Sequence, residues 1–157
     1  MENRIEVLRK YIDETIQSMN DINYWHKRAY THLYGVSHFC AMIALKRKQN
    51  AELATMAGLL HDFYTYKMMD QENHAEKGAI LAKETLDFLR ITDDIETELI
   101  CDAISKHTDK KNTHSAFAEI LKDADTIQPY LYNITSPELN EARNERIKKL
   151  KEEFCLH

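Results

Sequence analysis

Three glycines and two prolines in 157 residues leave this chain few ways to build β-hairpins or glycine-rich phosphate loops. Tight hairpins draw on glycine for positive-φ positions, and proline and glycine punctuate the loops between strands. Their scarcity favours helices joined by short polar turns, so the expected class is all-α. The length suits one domain that can bury a real core. The expectation is a compact single-domain helical bundle over 1–157, with its core at about 24–132 and a charged C-terminal helix at about 137–154.

Apolar spacing predicts seven helices, with no repeat, low-complexity tract or linker between them. Ile5, Leu8, Ile12 and Ile16 stripe a first helix over roughly 2–18. Val36, Phe39, Cys40, Ile43 and Ala44 stripe a second, running to about Lys48. Asn50 is a good cap for a third, whose apolar run Ala57-Gly58-Leu59-Leu60 ends on His61-Asp62. The Tyr- and Met-rich stretch 63–72 reads as a loop. Asn73 is placed to cap a fourth helix with Ala75, Ala79, Ala82, Leu86 and Leu89 on one face. Thr92, Asp93, Asp94 and Glu96 signal the start of a fifth, which carries Ile95, Leu99, Ala103 and Ile104 and ends near His107. A sixth runs from about Ser115 to Ile127 and stops before Pro129; Pro137 opens the last, at the first-turn position proline tolerates best.

Charge and cysteine usage narrow the function classes. A net charge of −5 offers no broad basic field, so no nucleic-acid partner is expected. No apolar run is long enough to cross a bilayer, and Met1-Glu2-Asn3-Arg4 holds no signal-peptide core. Cys40, Cys101 and Cys155 are widely spaced and odd in number, which points away from a thiolate zinc site or a disulfide framework. A reducing, cytoplasmic setting follows, and the thin apolar stripe of the last helix (Leu139, Ala142, Ile147, Leu150) suits a surface helix or a homodimer contact.

His61-Asp62 after a buried run makes poor core but a good grip on a divalent metal. His32, His74, His107 and Asp125 each lie on or beside a predicted helix and complete a set of six. Imidazole nitrogen and carboxylate oxygen suit zinc, iron and manganese. Asp62 has a second oxygen with which to bridge two ions. His32 begins the stripe Val36-Cys40-Ala44 and faces the core, whereas His38 lies about 120° around the helix, so His32 is the chosen ligand. A carboxylate at Asp125, among Ile120, Leu121 and Ile127, needs a cation. Gly78 allows close approach one turn after His74. Asp123 is a candidate to orient a ligand from behind.

These residues, in this order, resemble the HD superfamily of metal-dependent phosphohydrolases, and most nearly its small bacterial members that cleave diadenosine tetraphosphate symmetrically. The resemblance rests on His32 with Val36, on Ala57-Gly58-Leu59-Leu60-His61-Asp62, on His74-Ala75-Glu76-Lys77-Gly78-Ala79, on Ala103-Ile104-Ser105-Lys106-His107-Thr108 and on Ala124-Asp125-Thr126-Ile127-Gln128-Pro129. It implies a compact all-α bundle of the HD-domain type. It also implies a first metal on His32, His61, Asp62 and Asp125, and a second on His74 and His107 with Asp62 shared. Iron or manganese would be typical. One departure is Thr65, where that group carries a phosphate-gripping lysine; Lys67 follows two residues later.

The expected activity is hydrolysis of a phosphoester or phosphoanhydride in a small nucleotide-like substrate. A hydroxide bridging the two ions would attack, with His61 and Asp62 at the reacting centre. Lys67, Lys77, Lys106 and Arg28 are candidates to bind phosphate, and Tyr64, Tyr66 and Tyr130 to stack on a base. Two other readings use the same ligands: a di-iron HD-type oxygenase, and a non-catalytic helical binding module stabilised by metal.

Overall fold

The computed structural model describes residues 3–19, 24–137 and 139–157, and eight α-helices lie among them. They are α1 (Arg4–Gln17), α2 (Tyr24–Lys46), α3 (Ala51–Leu60), α4 (Phe63–Met68), α5 (His74–Leu89), α6 (Asp94–Lys106), α7 (Ala116–Tyr132) and α8 (Glu141–Glu153). The single-domain, all-α fold read from the sequence is the one observed. No described helix is long and apolar enough to cross a membrane.

Helix α3 is the centre of the bundle, because every residue from Leu53 to Leu60 is buried. A helix apolar on all sides must be wrapped by others. Helices α2, α6, α7 and α1 pack around it, and α5 lies against α6. Asn50 caps α3 as expected, its side chain accepting from the Leu53 amide at 3.1 Å. Helix α1 seats Leu8, Ile12 and Ile16 at zero exposure. Each such side chain contributes about 1.5–3 kcal/mol. Arg4 then ties the start of α1 to Glu52 of α3 at 2.6 Å and Glu96 of α6 at 2.7 Å. Glu96 also closes a capping box with Asp93, which fixes the start of α6.

The structure corrects several expected boundaries. Residues 63–68 form α4, not a loop, and bury Phe63, Thr65 and Tyr66. Six residues are fewer than two helical turns, too short for a period to register. Asn73 stands at the cap position of α5 but in the left-handed region (φ 50°), with no side-chain capping bond. In α6, Ile95 is 79% exposed, and Thr97 and Ile100 take the inner face with Ala103 and Ile104. Helix α7 runs through Pro129 to Tyr132. Proline gives up one amide donor, and the ladder resumes where the Asn133 amide donates to the Pro129 carbonyl at 3.1 Å. Helix α8 starts at Glu141, capped by Asn140, and not at Pro137. Its Ile147 and Leu150 are buried within the chain, where α8 packs on α7.

Candidate metal centre

Helix ends aim most of the site. His61 and His107 are the C-cap residues of α3 and α6, and His74 is the first residue of α5. In each, ring Nδ1 bonds the carbonyl three residues back: Gly58 at 2.7 Å, Ile104 at 2.7 Å and Gln71 at 3.0 Å. Gly58 and Ile104 lie in the last turns of α3 and α6, where carbonyls lack intrahelical donors, whereas Gln71 lies in the turn before α5. A carbonyl only accepts, so Nδ1 carries a proton, and in the neutral ring Nε2 turns its lone pair to the interior. His32, in mid-α2, is steered by the side-chain oxygen of Gln128, 2.9 Å from its Nδ1. The four rings thus turn Nε2 inward.

Those nitrogens meet two carboxylates. Asp125 Oδ1 is 3.2 Å from His32 Nε2 and 3.3 Å from His61 Nε2. Asp62 Oδ2 is 3.2 Å and 3.5 Å from the same two atoms. The other oxygen of Asp62, Oδ1, lies 3.3 Å from His107 Nε2 and 3.5 Å from His74 Nε2. It is buried and has no hydrogen-bond partner. The residues fall into two candidate ligand groups, His32, His61, Asp62, Asp125 and Asp62, His74, His107, joined at Asp62. His32 and not His38 faces this cluster, since His38 is exposed.

Lone pairs set against carboxylates repel unless positive charge stands between them. His61 and His32 even bring their Nε2 atoms to 3.1 Å. A proton or a metal has to fill that role, and the orphaned Asp62 oxygen beside two bare nitrogens fits a divalent ion. Without metal the proton goes to His32. Burial opposes its protonation, but bonds to Asp125 and Asp62 win and lift it from 6.5 to about 10. Burial likewise opposes ionisation of Asp62 and Asp125. Rings that carry a proton on Nε2, and for Asp125 the Lys110 ammonium before them, hold both carboxyls well below the ordinary range.

The His32 proton stabilises the metal-free fold fully below pH 6.5, and that contribution is lost as pH rises toward about 10. A metal needs the bare Nε2, so binding at neutral pH should release about one proton, and apparent affinity should rise about tenfold per pH unit between pH 7 and 9. Titration calorimetry in buffers of different ionisation enthalpy measures that proton directly; an affinity flat with pH would contradict it.

Two residues that hold the site were not singled out from sequence. Gln128 steers His32 and lies three residues after Asp125, on the same face of α7, so helical spacing could have found it. Lys110 bonds Asp125 Oδ2 at 2.6 Å from a loop with no periodicity to mark it. Asp123, expected behind a ligand, instead pairs with Arg47 at 2.7 Å and Arg146 at 2.8 Å, pinning α8 to the bundle. Gly78 behaves as expected, since a Cβ there would stand 3.2 Å from the His61 carbonyl. The four candidate phosphate binders make no bond to the cluster among the described residues. Lys77 pairs with Asp70 at 2.9 Å and Lys106 with Asp102. Lys67 lies over the Phe63 ring, and Arg28 is exposed beside the Tyr24 hydroxyl. Tyr66 is buried against Trp25, and Tyr64 donates to Asp70 at 2.8 Å.

Residues 29–130, more than half of the chain, match the family described as HD domain. The chain belongs to the HD domain family. Both ligand groups lie wholly inside the matched segment. A solved structure is similar throughout: a predicted HD superfamily hydrolase from an uncultured Thermotogales bacterium, 23% identical, with a TM-score of 0.64. The similarity covers 96% of this chain and 87% of that one, and it supports the HD fold. No curated protein matches the chain significantly.

Proposed function

We propose that this HD domain protein is a metal-dependent phosphohydrolase that cleaves a phosphoester or phosphoanhydride in a small substrate of the nucleotide or dinucleoside polyphosphate class. The observation that carries the reading is Asp62, whose two oxygens face two separate pairs of imidazole nitrogens. A shared carboxylate of this kind suits a pair of ions, where a purely structural metal needs one closed shell. Membership in the family and likeness to a predicted HD superfamily hydrolase support the same chemistry.

His32, His61, Asp62 and Asp125, and Asp62 with His74 and His107, would hold two divalent ions, iron, manganese or similar, whose chemistry would be to lower the pKa of a bound water toward neutral and to set positive charge against the phosphoryl oxygens. The chain does the rest. Carbonyls behind His61, His74 and His107 lock the ring orientations. The His61 and His107 side chains, at 0% and 2% exposure, close the inner side of the centre, while those of His74 and His32, at 27% and 17%, leave the outer side open to a ligand. Covalent catalysis by a core thiol is disfavoured, since burial pushes Cys40 well above its ordinary value. For gripping phosphate, Lys67 and Arg28 are freer than Lys77 and Lys106, which carboxylates already hold.

The test is chelation, reloading with manganese, and a panel of nucleotides and dinucleoside polyphosphates followed by chromatography. Manganese should raise hydrolysis of at least one member at least ~100-fold above the chelated protein, about 3 kcal/mol of barrier. No hydrolysis across the panel, with oxygen uptake by the iron-loaded protein, would favour the oxygenase reading instead.

A further inference from the structure

The loop after α6 sinks a lysine into the protein interior beside the ligand cluster. Lys110 is 8% exposed, and lysine is almost never buried unless paired. Its ammonium donates to Asp125 Oδ2 at 2.6 Å, to the His107 carbonyl at 2.7 Å and to the Lys122 carbonyl at 3.3 Å. Those contacts bridge the end of α6 and the middle of α7. They also bridge the two ligand groups, because His107 belongs to one and Asp125 to the other. The loop is braced from outside, where Arg146 of α8 donates to the Lys110 carbonyl at 2.9 Å and pairs with Glu119 and Asp123 at 2.8 Å.

We propose that Lys110 is a positioning residue, a resident counter-ion that keeps Asp125 and the ligand cluster assembled when no metal is bound and leaves only Oδ1 of Asp125 to a metal. The inference rests on the metal-centre reading above. Asp125 Oδ2 is taken by the ammonium, and Oδ1 alone faces His32 and His61. With Lys110 removed, the metal-free protein would keep a buried carboxylate short of its main cation, among the costliest single defects a fold can carry. A divalent ion on Oδ1 relieves the same defect. Lysine and metal are therefore partly redundant, and losing the lysine shifts the burden to the metal through linkage.

The experiment measures Tm of the full chain, chelated and manganese-loaded, for wild type, Lys110→Met and Lys110→Met/Asp125→Asn. Methionine keeps much of the lysine stem, and the double variant removes both charges at little change in volume. In chelator, Lys110→Met should lose about 10 °C. With manganese it should lose less than half as much, so its metal-induced rise exceeds that of wild type. The double variant should regain at least half of the chelated loss. Folding of Lys110→Met only with manganese is the same result in stronger form. Equal losses with and without manganese, or a double variant no more stable than Lys110→Met in chelator, overturn the proposal. A wild-type Tm indifferent to manganese overturns the metal-centre reading, and this one with it.

Discussion

Asp62→Ala is expected to empty both halves of the centre at once, leaving hydrolysis at background and bound metal near zero. Each of its oxygens serves a different pair of rings, so no other residue loses as much when truncated. His107→Ala is the informative contrast. It removes one nitrogen from the group made by Asp62, His74 and His107 and leaves the group around Asp125 intact. That variant should keep about one ion where wild type keeps about two, with activity reduced by at least ~100-fold. The chelated Asp62→Ala protein should still fold, because Asp125 and Lys110 remain in place beside His32 and His61. Elemental analysis of dialysed protein, read beside the hydrolysis assay and circular dichroism, separates these outcomes. A folded Asp62→Ala protein with wild-type metal content and rate would sink the assignment.

The six residues of the cluster were legible in sequence because their types conflict with their surroundings. His61-Asp62 ends a run that is otherwise buried and apolar, and Asp125 sits in a helix that buries every residue from Ile120 to Gln128. Charge and imidazole in such places need a reason. What supports them was less visible. Lys110 and its neighbour Lys111 look alike in the chain, yet one is buried against Asp125 while the other is exposed. Asp123 resembles Asp125 two residues on, but two positions on a helix turn about 200°, so it faces Arg47 and Arg146 and not the rings. Helix α4 escaped because Phe63 and Tyr66 supply only one turn of pattern, and its burial comes from neighbours distant in sequence, such as Trp25 and Tyr11. Pro129 reads as a stop in the sequence, yet proline costs one ladder bond, a penalty that packing of Ile127 and Gln128 in the core offsets.

Gly58→Ala should lower stability, although alanine is the better helix former by about 1 kcal/mol. A Cβ at this position would stand 2.6 Å from the Ser37 Cα and 2.9 Å from the Ser37 nitrogen, both backbone atoms of α2. A rotamer change cannot relieve a clash with backbone, so α2 and α3 must move apart along their tightest contact. Overpacking of this kind costs about 3 kcal/mol at the upper end of its usual range, which outweighs the gain in propensity by about 2 kcal/mol. For a chain of this size that is a fall of about 6 °C in Tm. The damage would also reach the metal. The Gly58 carbonyl accepts from His61 Nδ1 at 2.7 Å, and α2 carries His32, so separating the helices moves two ligands of one group relative to each other. Manganese affinity should therefore fall at least ~10-fold while the helical content stays near that of wild type. Thermal unfolding of the chelated protein and metal titration of the folded one check the two halves independently. A Gly58→Ala protein more stable than wild type would mean that α2 and α3 do not meet at Ser37, and the shared placement of His32 and His61 would lose its physical basis.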